Sequence, residues 1–114
     1  MEALIIVAHG SKIKSSNDEI IEISNKIKNK NENTFYAFLE LSEPSFYDIL
    51  KEVVEKKYKK IKIFPYFLAA GKHVLADIPN IIKEFKTNHK DIEFTVLPHF
   101  GRCNGVEDLI LSNS

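Results

Sequence analysis

Hydrophobic residues recur along this chain in two rhythms, short unbroken runs and longer stretches with apolar positions three or four apart. Residues 3–8 form an Ile/Val-rich run ending at His9-Gly10, which predicts a strand covered on both faces, as in a parallel sheet. Polar residues follow, among which Ser15, Ser16 or Asn17 is expected to cap a helix. That helix carries Ile20, Ile23 and Ile27 at helical spacing, with Glu19 near the favourable end of the dipole, and ends in Asn29 to Asn33. Residues 34–41 are β-branched and aromatic and predict a second strand, stopped by Ser42-Glu43-Pro44-Ser45. Phe46, Ile49, Leu50, Val53, Val54 and Tyr58 then mark one face of an amphipathic helix.

The same alternation repeats. Ile61 to Phe64 predicts a third strand, and a polar-tipped loop leads to a helix with Ile78, Ile81, Ile82 and Phe85 on one face and Pro79 in its first turn. Residues 92–97 predict a fourth strand, Pro98 to Gly105 a loop, and Val106 to Leu111 a short terminal helix. Strict β-α alternation with short connections implies an α/β fold: a single lobe with a four-stranded parallel sheet flanked by helices, one domain over residues 1–114.

Composition narrows the function. Sixteen basic residues balance sixteen acidic ones, so no overall field draws the chain to nucleic acid or an anionic membrane. The lysines at 56, 57, 59 and 60 read as a solvated edge. Cys103 is the single cysteine, which excludes an internal disulfide or a Cys-x-x-Cys pair and suits a reducing compartment. No run approaches the ~18 apolar residues of a membrane span, and no basic leader precedes the first strand. The expectation is a cytoplasmic protein with neither a nucleic-acid nor a membrane partner.

Open α/β sheets bind ligands beyond the carboxyl ends of their strands. The residues expected there are His9, Glu40, the Gly71-Lys72-His73 loop and His99, with Gly10 and Gly71 permitting close backbone approach. His9 and His73 are each open to a structural reading, as strand-end groups bonded to a carbonyl, and Glu40 to one as an edge residue in water. Converging, two imidazoles and a carboxylate have the donor set for a borderline divalent metal such as Co2+, Fe2+, Ni2+ or Zn2+, with coordination positions left open. Ser11, Lys12, Gly71 and Lys72 are candidate substrate contacts on the same edge, with Lys14 and Arg102 as further cations for a polycarboxylate or phosphate. No Gly-x-Ser-x-Gly elbow surrounds Ser11, and neither a Walker loop nor a dinucleotide fingerprint occurs.

Three stretches, Val7-Ala8-His9-Gly10-Ser11, Ala37 to Ser45 and Pro65 to Pro79, resemble the small, short-form sirohydrochlorin chelatases (cobaltochelatases and ferrochelatases) of cobalamin and sirohaem biosynthesis, in the class II chelatase superfamily. The resemblance covers nearly the whole chain. It implies a flavodoxin-like chelatase half, and insertion of Co2+ or Fe2+ into sirohydrochlorin without ATP, with Ni2+ a further candidate. It also implies no permanently bound cofactor, His9 and His73 as metal-binding and catalytic residues, and Glu40 at an acidic catalytic position. Short forms of this family pair as homodimers and longer forms fuse two lobes, so a homodimer and a small tetrapyrrole are the expected partners. Two other readings remain: a carrier that binds metal or tetrapyrrole without turnover, and a module binding flavin or a phosphate ester at the strand ends.

Overall fold

The computed structural model describes all 114 residues. Its regular elements are β1 (Glu2–Ala8), α1 (Lys14–Lys28), β2 (Thr34–Phe38), α2 (Phe46–Glu55), β3 (Lys60–Pro65), α3 (Ile78–Asn88), β4 (Glu93–Val96) and α4 (Val106–Ser112), with a π-helical turn at His73–Asp77 and a 3-10 turn at Phe100–Arg102. The four strands form one sheet in the order β2-β1-β3-β4, every pair parallel. The expected α/β lobe is therefore the observed one.

Strand side chains alternate between faces, and that alternation splits the core. Ala3, Ile5, Val7, Ala37, Ile61, Ile63 and Phe94 point to one side, where Phe46, Ile49, Leu50 and Val53 of α2 and Ile78, Ile82 and Phe85 of α3 close over them. Each large aliphatic fully buried here contributes about 1.5–3 kcal/mol. On the other face α1 lies over β2 and β1, leaving Leu4, Ile6, Phe64, Tyr66 and Leu97 to form an apolar groove with Ile23, Ile27 and Phe100. Lys60 and Lys62 of β3 also face this thinner side. The lysine-rich edge is solvated as expected: Lys56, Lys57, Lys59 and Lys60 are all exposed, with Lys56 pairing to Glu52 and Lys59 to Asp91.

Four boundaries differ from the sequence expectation. The second strand stops at Phe38 rather than residue 41, and Leu41 beyond it takes a left-handed φ of 65°. The first helix starts at Lys14, ahead of the proposed caps. Asn17 instead clasps the preceding loop: its Oδ1 accepts from Ser11 N–H at 2.9 Å and its Nδ2 donates to the Ser11 carbonyl at 2.8 Å. Asn and Ser side chains compete for local backbone groups in this way, and Glu19 lies beyond the first turn, where the dipole has little hold. In the second helix Ser45 is the N-cap, accepting from Asp48 N–H at 3.0 Å, and Tyr58 is buried although it lies past the helix end at Lys56–Lys57. The segment expected to be a loop before α3 is helical from His73 onward.

Candidate metal centre

The chain leaves β1 for β2 on one side of the sheet and reaches β3 on the other, so the gap between β1 and β3 is the switch point where such sheets open a crevice. Registers Ala8↔Phe38 and Val7↔Pro65 bring the carboxyl ends of β2, β1 and β3 level. His9, Glu40 and His73 each follow one of these ends.

Gly10 draws the first two together. Its φ is +98°, and a Cβ built there would lie 1.8 Å from the Glu40 carbonyl oxygen. Only a residue without a side chain lets the loop after β2 lie this close to the loop after β1. Leu39 N–H donates to the Ala8 carbonyl at 2.9 Å and Glu40 N–H to the His9 carbonyl at 3.0 Å, so parallel pairing continues past the end of β2. Gly101 does the same for the β3 loop, its Cβ position 1.7 Å from the Leu68 carbonyl.

The three side chains meet. His9 Nε2 is 2.5 Å from Glu40 Oε1, His73 Nε2 is 4.0 Å from the same oxygen, and the three ligand atoms lie within 4.8 Å of one another. The imidazole centroids are 4.6 Å apart at 54°. Both rings present Nε2 because Nδ1 is engaged: His9 Nδ1 lies 2.9 Å from the Gly10 carbonyl, and His73 Nδ1 lies 2.7 Å from Asp77 Oδ2. Since a carbonyl and an ionised carboxylate only accept, Nδ1 carries hydrogen in each ring and Nε2 is left as the acceptor facing Glu40.

The geometry suits a first-row divalent ion after a small adjustment. Bonds of about 2.1 Å at a tetrahedral angle place donors about 3.4 Å apart. The His9–Glu40 contact is shorter than that and the His73–Glu40 separation longer, so holding an ion would require the first pair to part and His73 to move closer. The side chains are 42%, 52% and 32% exposed, which leaves them room to rotate. Leu39, Glu40, His73, Asp77, Asn80 and Ile81 line an open groove of about 310 Å³ beside the cluster.

Other expected residues are placed as follows. Ser11 is half-buried and its Oγ accepts from Ile13 N–H at 3.0 Å. Lys12, Gly71 and Lys72 are exposed, and Gly71 has no atom within 4 Å of its Cβ position. Lys14 is tied to Asp18 at 2.9 Å. His99 caps the 3-10 turn, its carbonyl accepting from Arg102 N–H, and is outside the cluster. Asp77 is the residue that sequence reasoning passes over. The spacing His73-x-x-x-Asp77 puts two residues on one helical face, but that signal means nothing while residues 71–77 are read as a loop.

The sequence model of the CbiX family matches residues 3–114. A sirohydrochlorin cobaltochelatase of Methanocaldococcus jannaschii is 34% identical over 92 residues, 79% of this chain and 64% of that protein. The chloroplastic sirohydrochlorin ferrochelatase of Arabidopsis thaliana is 30% identical over 114 residues, 96% of this chain and 49% of that protein. The crystal structure of the sirohydrochlorin chelatase SirB from Bacillus subtilis subspecies spizizenii, in complex with cobalt, superposes with a TM-score of 0.85 at 23% identity over 97% of this chain and 48% of that one. The chain thus spans about two thirds of the first of these relatives and about half of the other two.

Proposed function

This chain belongs to the CbiX family, and on that premise we propose that it is a sirohydrochlorin chelatase, inserting Co2+ or Fe2+ into the macrocycle without ATP. The observation that carries the proposal is the convergence of His9, Glu40 and His73 from three strand ends into one cluster within 4.8 Å. Names of relatives alone supply the substrate class; the cluster supplies a reason for metal to be held beside it.

Chelation exchanges one divalent ion for two macrocycle N–H protons, which leave as the ion enters from the same ring face. Three protein ligands leave open coordination positions, so His9 and His73 hold the ion while pyrrole nitrogens begin to replace them. As the ligands are released one by one, Glu40 and an imidazole would accept the two protons the macrocycle gives up and pass them on to solvent before the next ion binds. A protein that binds the ion through half-exposed, adjustable side chains can hand it over, whereas a closed four-ligand site would retain it.

The remaining parts fit a flat polycarboxylate ring. Leu41, Leu68 and Leu75, 54%, 80% and 71% exposed on the loops and turn around the cluster, would lie against the ring face. Lys12 and Lys72, with the Ser11 hydroxyl and the backbone N–H of Gly71, would meet its carboxylates. One lobe supplies one wall, so a two-fold pair of chains would supply the second. A reducing compartment such as the cytoplasm suits the free thiol of Cys103, and no helix is long and apolar enough to cross a membrane.

The test is anaerobic: sirohydrochlorin with Co2+ or Fe2+, followed by the absorption of the ring, with wild type, His9→Ala and His73→Ala against metal-only controls. Loss of acceleration in both variants with the fold retained is expected. Full activity in either variant refutes the assignment, and ring binding without acceleration by wild type makes the protein a carrier. Light scattering at twice the 13.1 kDa chain mass tests the pairing, which a monomer of full activity would contradict.

A further inference from the structure

We propose that Asp77 is the positioning residue of the metal centre: it fixes the tautomer and orientation of His73 from one turn further along the same helix. This rests on reading His9, Glu40 and His73 as metal ligands, and adds a residue outside that set.

The two histidines are fixed by different means. His9 Nδ1 bonds the carbonyl of its own neighbour Gly10 at 2.9 Å, a main-chain partner that no side-chain change removes. His73 has no such partner, and its Nδ1 lies 2.7 Å from the carboxylate of Asp77. An ionised carboxylate cannot donate, so the hydrogen sits on Nδ1 and the lone pair on Nε2, the atom that faces Glu40 Oε1. Without Asp77 the ring is free to turn and to carry its hydrogen on either nitrogen. Carboxylate partners of metal-bound histidines act in this way, and their removal typically costs 10–100-fold in metal affinity.

Residue 77 is within reach because it lies one helical turn after residue 73. Within the turn, Ile78 N–H donates to the His73 carbonyl, one residue wider than an α-helix allows. His73 and Asp77 are each 32% exposed on the groove side, and the next residue, Ile78, is fully buried in the core. The i,i+4 pair lines the groove while Ile78 enters the core. The ring of Phe67, 6.1 Å from that of His73, supports the imidazole from another side but offers it no hydrogen bond.

The test compares the full-length wild type with Asp77→Ala and Asp77→Asn. Asparagine keeps an oxygen that accepts from Nδ1–H, and alanine does not. Anaerobic Co2+ titration read by ligand-field absorption is expected to show affinity 10–100-fold weaker in Asp77→Ala and largely recovered in Asp77→Asn, with similar melting temperatures. Nitrogen-15 NMR of the metal-free proteins is expected to show His73 as the Nδ1–H tautomer in wild type and Asp77→Asn, and as a mixture in Asp77→Ala. An unchanged tautomer and Co2+ affinity in Asp77→Ala overturns the proposal, as does an equal loss in both variants, which would assign the effect to charge. If wild type itself binds no Co2+, the metal-centre reading fails first and takes the role of Asp77 in metal capture with it.

Discussion

Gly10→Ala changes one hydrogen for a methyl group and is expected to damage both fold and site. The new Cβ would sit 1.8 Å from the Glu40 carbonyl oxygen, 3.0 Å from its carbon and 3.3 Å from Phe38 Cβ. Ordinary contact begins near 3.4 Å, so the two loops must part by about 1.6 Å, and neither atom at the closest contact belongs to a flexible side chain. Holding an L-residue at φ +98° costs about 1–2 kcal/mol, and forcing apart a packed region about 1–3 kcal/mol. The combined loss is about 2–5 kcal/mol, a melting temperature lower by at least about 8 °C for a domain this size. Parting the loops also stretches the Glu40 N–H bond to the His9 carbonyl and withdraws the carboxylate from His9, so Co2+ affinity is expected to fall on the order of tenfold or more. Calorimetry and anaerobic Co2+ titration measure the two effects. Gly71→Ala is the comparison, with open space at its Cβ position and no left-handed φ, and is expected to melt with wild type. Wild-type melting and Co2+ affinity in Gly10→Ala would refute the reasoning.

Three further outcomes are expected. Glu40→Gln keeps the shape but removes a proton acceptor, and should slow insertion at least about tenfold in kcat; an unchanged rate would return Glu40 to a solvated edge residue. Ser45→Ala removes the side-chain cap of α2 and should cost about 1 kcal/mol in urea unfolding, whereas an unchanged midpoint would show that the cap carries no weight. The carboxyl of Asp91 is held below the usual range by the Lys59 ammonium that hydrogen-bonds it, with backbone bonding and the Lys59 charge adding to this. Its stabilising effect is therefore complete above about pH 4, the unfolded value, and is lost as pH falls through the lower folded value. Lys59→Ala should move the Asp91 titration, followed by NMR, up toward that value, and no movement would contradict the pairing.

The eight alternating elements were legible because each strand is an apolar run and each helix has one apolar face, both signals set locally by burial. His9, Glu40 and His73 were legible as residues after three strand ends, since the topology dictates that such ends meet. What sequence could not carry was spacing through space. Gly10 and Gly71 look equivalent in the chain, yet one is pressed against the Glu40 carbonyl and the other stands open. Ser15 and Asn17 look like helix caps, but Asn17 has a better partner in the Ser11 backbone. The π-turn has no compositional mark of its own; within it His73 and Asp77 line the groove while the next residue, Ile78, is buried. Asp77 stayed hidden with it.

The most direct test of metal transfer from His9, Glu40 and His73 to the macrocycle is a single turnover under rapid mixing. Protein preloaded with one equivalent of Co2+ is mixed anaerobically with sirohydrochlorin and a large excess of a strong chelator that scavenges free ion. Transfer from the cluster predicts close to one equivalent of cobalt product despite the chelator, and none from His73→Ala. Product that forms without the chelator but disappears in its presence would mean that the ion reaches the ring from solution, and would contradict the role assigned to the cluster.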